Sequence, residues 1–426
     1  MIINAIVLFV CVLFLLYNYK NTVVALTPII PYLDNFVVPF SYPGGGRLFA
    51  LISLFALLLL PLKVSKRAII GNNYPFKLMT IIIAVSYALS NIPLFHPVGA
   101  FNLLLTVYIY PVILWICLDS PGRLKLFIKI LVFSLSIFVI YGFYEVITSS
   151  NPVMDYCASH GVITGQSSKA MRFGLKRLQS FAPFIGASGT IAGMGFMTLL
   201  FLKMYFNKLF RLENKTILLL VGLFLCVLFT GTRSVILGFT VGLLAFVNPQ
   251  NLVKKKTLIS MLMFMLAAPF LYDYIAGYIG QIVNSYTDTE NVRGSSVDMR
   301  MRQWNLTIYY WKKSPIIGNG GGFMFEKVAG YVRAMYGAES VWFPLLTDYG
   351  LLGCAAFILT ILLPIMKLIR MDLRPVVFLV LLFLVNKTLS SIPGISIGFH
   401  LIFVVFFVRL KEIVDKYNSA YAQSCF

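Results

Sequence analysis

Residues 298–353 read DMRMRQWNLTIYYWKKSPIIGNGGGFMFEKVAGYVRAMYGAESVWFPLLTDYGLLG, and they stand out because almost everything around them is apolar. Arginines, aromatics, a glycine cluster and isolated acids crowd into fewer than sixty residues between hydrophobic runs. With 59% hydrophobic and only 12% charged residues among 426, and a mean hydropathy of +0.87, the chain lies far from the composition of soluble domains. It reads as an all-α polytopic membrane protein, a single membrane domain over 1–426, interrupted by a polar island that needs a reason.

Working outward, apolar runs long enough to cross a hydrocarbon core of about 30 Å, with about 20 residues each or somewhat fewer, recur from end to end. They lie near 2–18, 22–40, 47–63, 76–94, 98–118, 125–147, 183–204, 216–231, 233–249, 257–278, 343–367, 376–391 and 394–409, giving about 12–14 transmembrane helices. The first has no basic region before it and no small-residue cleavage site after it, so it is a retained span and not a signal peptide. The second, broken by Pro28, Pro31 and Pro39, reads as spanning or as re-entrant.

Six basic clusters alternate with pairs of spans: Lys63, Lys66 and Arg67; Arg123, Lys125 and Lys129; Lys203, Lys208, Arg211 and Lys215; Lys254, Lys255 and Lys256; Lys367, Arg370 and Arg374; Arg409, Lys411 and Lys416. All six can be cytoplasmic at once, which puts the C-terminus inside and, with thirteen spans, the N-terminus outside. This spacing also accounts for most of the net charge of +20 without nucleic acid, because no soluble domain gathers the cations. The six cysteines are scattered, with no CxxC pair, so neither a disulfide framework nor a metal site is expected.

Two longer loops then fall outside, 148–182 and 279–342. Both break the positive-inside pattern, the first with Lys169, Arg172, Lys176 and Arg177, the second with Arg293, Arg300, Arg302, Lys312, Lys313, Lys327 and Arg333. Cations on the translocated side point to a bound anion; the bland alternative is a solvated loop surface near anionic headgroups.

Within the large loop, Ser296 and Asp298 mark a helix start. Arg300, Trp304, Ile308 and Trp311 then share one helical face, with the aromatic part expected to pack on the bundle. Arg300 suits bidentate pairing with phosphate or carboxylate. The run from Gly318 to Gly322 allows backbone N–H groups to converge on an anion, or is an ordinary turn. No Walker motif is present. Glu339, at the loop's end, and Asp348, inside the next span, are candidates for a general base or for structural pairing. Arg233 in TGTRS, residues 230–234, stands near hydrocarbon, where a cation is functional by default; Arg172, Lys176 and Arg177 form another basic group, and Arg47 after three glycines a weaker one. His96 and His160 are solitary, so no metal is expected.

In order, the TGTRS turn, an arginine three residues before Gln303 and Trp304, PIIGNG at 315–320, ESVW at 339–342 and YGLLG at 349–353 resemble the O-antigen ligase and polymerase superfamily, which includes Wzy polymerases and WaaL ligases. The motifs span roughly 165–360. The resemblance implies a GT-C-like glycosyltransferase of the bacterial inner membrane, its site facing the periplasm, acting on glycans carried by undecaprenyl pyrophosphate among membrane lipids, with a chain-length regulator as partner and no cofactor. It implies Glu339, Arg300 and Arg233 as catalytic residues and Arg177 at the pyrophosphate; the loop cations Arg172, Lys176 and Arg302 and the aromatic Trp304 join them, from the charge pattern and from aromatic stacking, as candidates around pyrophosphate and sugar. Ligases carry a His-Asn pair where Glu339 and Ser340 stand; this departure favours a Wzy-type polymerase. A lipid-linked oligosaccharide flippase is the rival of another class, but it should carry charges along a central path inside its spans, whereas here they sit at the outer ends.

Overall fold

The computed structural model describes residues 2–33, 48–90, 104–159, 171–172, 175–182, 184–206, 215–246, 297–328, 340–389 and 399–424. Apart from a two-residue antiparallel pairing of β1 (Met171–Arg172) with β2 (Leu175–Lys176), the described regular structure is helical. In chain order the helices are α1 (Ile2–Tyr17), α2 (Tyr19–Leu26), α3 (Ile30–Leu33), α4 (Leu48–Lys63), α5 (Lys66–Ile70), α6 (Lys77–Ser90), α7 (Tyr110–Cys117), α8 (Pro121–Thr148), α9 (Pro152–Ser159), α10 (Ile185–Tyr205), α11 (Lys215–Phe229), α12 (Arg233–Leu243), α13 (Val297–Trp311), α14 (Trp342–Arg370), α15 (Arg374–Leu389) and α16 (Phe399–Ser424). A π-helical turn, Leu104–Ile109, leads into α7.

Helices cover every expected span except 257–278, which lies outside the described residues, and 22–40, which is irregular. Three of them, α8, α10 and α14, are long and apolar enough to cross a membrane by themselves. The chain is an all-α polytopic membrane protein. In the irregular segment, prolines at 28 and 31 remove helical N–H donors, and α2 passes through a 3-10 turn, Thr27–Ile29, into α3. Lys20 pairs with Asp119 at 2.7 Å, whereas Tyr32 packs on Phe181, ring centroids 6.4 Å apart. These contacts lie at opposite ends of the bundle, so residues 19–33 extend from one towards the other; residues 34–40 of this expected span lie outside the described residues.

One end is basic. Asp119 holds Lys20 and Arg123, while Arg409 donates to the Leu118 carbonyl at 2.9 Å and lies over Trp115 at 4.6 Å. At the other, the loop end, Glu145, Thr230, Arg233 and Val341 are gathered by the contacts described below.

The centre of the bundle is α10, 89% buried over its apolar window, against 44% for α8 and α14. Its small residues explain this. In a membrane, helices gain little from burying apolar groups against one another, and association depends on close packing. A Cβ on Gly189 would come within 2.5 Å of Val235 on α12, and one on Gly195 within 2.9 Å of Leu135 on α8. A polar tie adds to this at the loop end: Asn386 of α15 donates to Thr190 of α10 and accepts from Ser234 of α12 at 3.0 Å.

Because Gly189 leaves no room, Gly189→Leu should destabilise the bundle by about 1–3 kcal/mol through overpacking. Thermal unfolding in detergent checks this, with partial recovery expected from Val235→Ala; wild-type stability would refute the close approach.

Candidate functional site at the loop end

The turn between α11 and α12 is built by its own sequence. Thr230 donates back to the Val227 carbonyl at 2.7 Å, Gly231 takes a positive φ of 56°, and extended Thr232 opens α12 without a side-chain cap. Arg177 braces this turn: its Nε donates to the Thr230 carbonyl at 2.8 Å and its Nη2 to Thr232 Oγ1 at 2.9 Å. Arg233 follows at once as the first helical residue. A cation there meets the positive end of the helix dipole, so helix stability does not account for it. Its Nη2 is enclosed and makes no hydrogen bond among the described residues. Two guanidiniums thus flank one helix N-terminus, a setting in which backbone and side-chain donors favour an anion.

Lys176, expected among the ligand-facing cations, is enclosed, 2% exposed, with its ammonium 3.5 Å from Glu145 Oε1. Glu145, in the last turn of α8, also accepts from the backbone N–H groups of Gln179 at 2.9 Å and Ser180 at 2.6 Å. The side chain of Arg172 lies outside the described residues, as do Arg47, His96, His160 and the whole of Glu339.

In the large loop, α13 begins at Val297, as the Ser296–Asp298 signal implies, and ends at Trp311. Its buried face differs from expectation. Gln303 and Thr307 are fully buried, with Leu306 and Tyr310 against the small cluster of Met324, Val328 and Phe343. Arg300 and Arg302 are exposed. Trp304 is 40% exposed, its ring 6.3 Å from that of Phe343. The packing stripe is therefore one residue removed from the Arg300–Trp304–Ile308–Trp311 line, which runs along the rim.

The glycine loop does converge on an anion, and the anion is the chain's own. Asp348, 3% exposed, accepts from Gly322 N at 3.0 Å and Met324 N at 2.8 Å. This joins the loop to a break in α14, where Gly350 has φ 61° and ψ −157°. The donors of Leu351 and Leu352, freed by the break, reach the Pro315 and Ile316 carbonyls at 2.9 and 3.0 Å. Asn319 completes the clasp, donating to the Tyr310 and Thr347 carbonyls.

The chain resumes at Ser340 against the end of α15: Val341 N donates to the Lys387 carbonyl at 3.0 Å and Trp342 Nε1 to Thr388 Oγ1 at 3.3 Å. The structure thus brings Arg177 and Arg233 to one turn and links that turn, through Ser234 and Asn386, to Lys387 and the start of α14, on which α13 with Arg300 packs. Glu145, Asn386 and Lys387 were not among the sequence candidates. Each carries a signal that could have found it, a polar residue within an apolar run, in YGFYEVIT and FLVLLFLVNKTL. Among the described residues no three His, Cys, Asp or Glu side chains stand together as a metal site would require.

Residues 218–358 match the family model described as O-antigen ligase. Over this stretch, about a third of the chain, the sequence is similar to that family. No curated protein matches the chain. The matched stretch contains the TGTR turn, α13, the glycine clasp and the broken start of α14, whereas Arg177, Glu145 and Lys387 lie outside it.

A Cβ on Gly318, where φ is 77°, would lie 2.3 Å from the Asp348 carbonyl oxygen. Gly318→Ala should therefore detach the clasp, and Asp348→Ala, which orphans two amides, should cost about 1–3 kcal/mol. Limited proteolysis within 297–328 reads both; wild-type resistance would contradict the clasp.

Proposed function

We propose that the protein is a lipid-linked glycan polymerase of the bacterial inner membrane, with its site at the loop end facing the periplasm. The observation that carries this reading is the pair Arg177 and Arg233 at one helix N-terminus, with an enclosed guanidinium nitrogen lacking an acceptor. Such a site suits a diphosphate.

In the reaction, a hydroxyl of the incoming lipid-linked repeat unit attacks the anomeric carbon of the growing glycan. The bond from that carbon to the diphosphate oxygen breaks, and undecaprenyl pyrophosphate leaves with the electron pair. Arg177, Arg233 and Arg300 stabilise the charge that develops on the leaving group. Glu339 accepts the hydroxyl proton. Arg302 and Arg172 add to the field that draws anionic substrate in, and Trp304, exposed beside Arg300 on α13, offers a face to a sugar ring. Lys176 serves the same site indirectly, as the partner of Glu145. A GT-C-like bundle would hold the lipid tails in its grooves, and a chain-length regulator would act on the same membrane.

The ligase reading, transfer to lipid A-core, is favoured by the family description; Glu339–Ser340 in place of the ligases' His-Asn pair favours the polymerase. Reconstitution with lipid-linked repeat units decides between them. The polymerase yields a ladder of longer glycans with no core acceptor, and strict dependence on core would establish the ligase. Arg233→Ala should lower kcat by about 100-fold or more, in the range for losing one charge-stabilising donor. Arg233→Lys should recover only part of this, because the planar fork is lost. Full ladders from both Arg233→Ala and Glu339→Gln would remove the site.

A further inference from the structure

We propose that Glu145 is a positioning residue for Arg177, fixing the place of its guanidinium at the TGTR turn. The proposal rests on the reading of Arg177 as a diphosphate ligand.

Residues 176–182 have no helix or sheet of their own beyond the end of β2, yet they are buried almost throughout. Backbone polar groups in such a segment must be satisfied from outside it. The last turns of α8 form the socket. The Ser180 hydroxyl donates to the Phe138 carbonyl at 2.9 Å, and Gly142 admits Leu178, whose Cδ1 would be 2.9 Å from an added Cβ. Asn151 donates to the Ser180 carbonyl at 3.0 Å. Glu145 is the only charged member of this socket among the described residues, and one carboxylate does three things. Its Oε2 takes the amides of Gln179 and Ser180, and its Oε1 faces the Lys176 ammonium.

These contacts bracket Arg177 on both sides. With Lys176 held behind it and residues 179 and 180 held ahead, the Leu178 amide reaches the Phe229 carbonyl at 3.1 Å, and the arginine is delivered to Thr230 and Thr232. Ser180 is held at φ 51°, a left-handed conformation that a non-glycine residue keeps only where its surroundings fix it. Lys176 Nζ makes no hydrogen bond, so its 3.5 Å approach to Glu145 is an opposite-charge contact, replaceable by a neutral pair of similar volume. The carboxylate's essential work is therefore on the two amides, which set the path of the chain through Arg177.

The test is a double-mutant cycle on the full-length protein in proteoliposomes, with ladder formation from lipid-linked repeat units as readout and thermal unfolding as the control for fold. Glu145→Ala, which removes the acceptor of both amides, should lower kcat by about tenfold to hundredfold, the size expected when a catalytic group is displaced by about an ångström. In an Arg177→Ala background the same change should produce little further loss, because the residue it positions is gone. Equal losses in both backgrounds, or wild-type activity of Glu145→Ala, would overturn the proposal. If Glu145→Ala alone does not fold, the cycle is run with Glu145→Ala and Lys176→Met together, and the same two outcomes decide. Full activity of Arg177→Ala by itself would instead strike the reading of Arg177, a separate failure seen in the single variant.

Discussion

Close approach around α10 is the constraint on which the rest of the structure depends. Between helices in hydrocarbon, burying one apolar side chain against another exchanges lipid contact for protein contact with little gain. What remains is the fit of surfaces. Gly189 against Val235 and Gly195 against Leu135 bring α12 and α8 into the central helix, and the Asn386, Thr190 and Ser234 tie fixes α15 beside them. The TGTR turn stands at the top of α12 and Glu145 at the top of α8, so the packing of α10 sets the spacing on which the two halves of the proposed site are mounted.

A second constraint follows at the membrane boundary. Irregular backbone there must find its hydrogen-bond partners within the protein. The break at Gly350 frees the amides of residues 351 and 352, and the carbonyls of residues 315 and 316 receive them. The exchange is mutual, since the loop that supplies carbonyls to α14 is itself held by Asp348 and Thr347. The polar island is thereby a folded part of the bundle, and α13, with Arg300 and Trp304, stands on it.

Much of this was legible in the sequence. Apolar run length and the placement of Lys and Arg reflect forces that act residue by residue, so the helices and the alternation of ends emerge from a linear reading. The start of α13 was legible for the same reason, because the sequence signal for it is local. Partnerships across the chain were not. Nothing near GNGGG says that the anion it cradles is Asp348, and nothing near KRLQSF says that Lys176 turns inward to Glu145 while its neighbour Arg177 turns to Thr230. The rim position of Trp304 was missed for a related reason: a helical stripe of apolar residues tells how a helix can pack, but the neighbouring Gln303–Thr307 line was chosen because both are small or flexible enough to lie against α14.

The two acids that the sequence placed in or beside apolar runs have parallel tasks. Glu145, at the end of α8, accepts two backbone amides of one polar segment; Asp348, near the start of α14, accepts two of the other. A carboxylate that accepts two backbone N–H groups is held in place, and it holds in turn the segment that supplies them. In Glu145 the second oxygen also faces the Lys176 ammonium, so one side chain anchors both the chain path and a cation. By assigning its buried acids to the backbone, the fold fixes the two polar segments against the ends of α8 and α14.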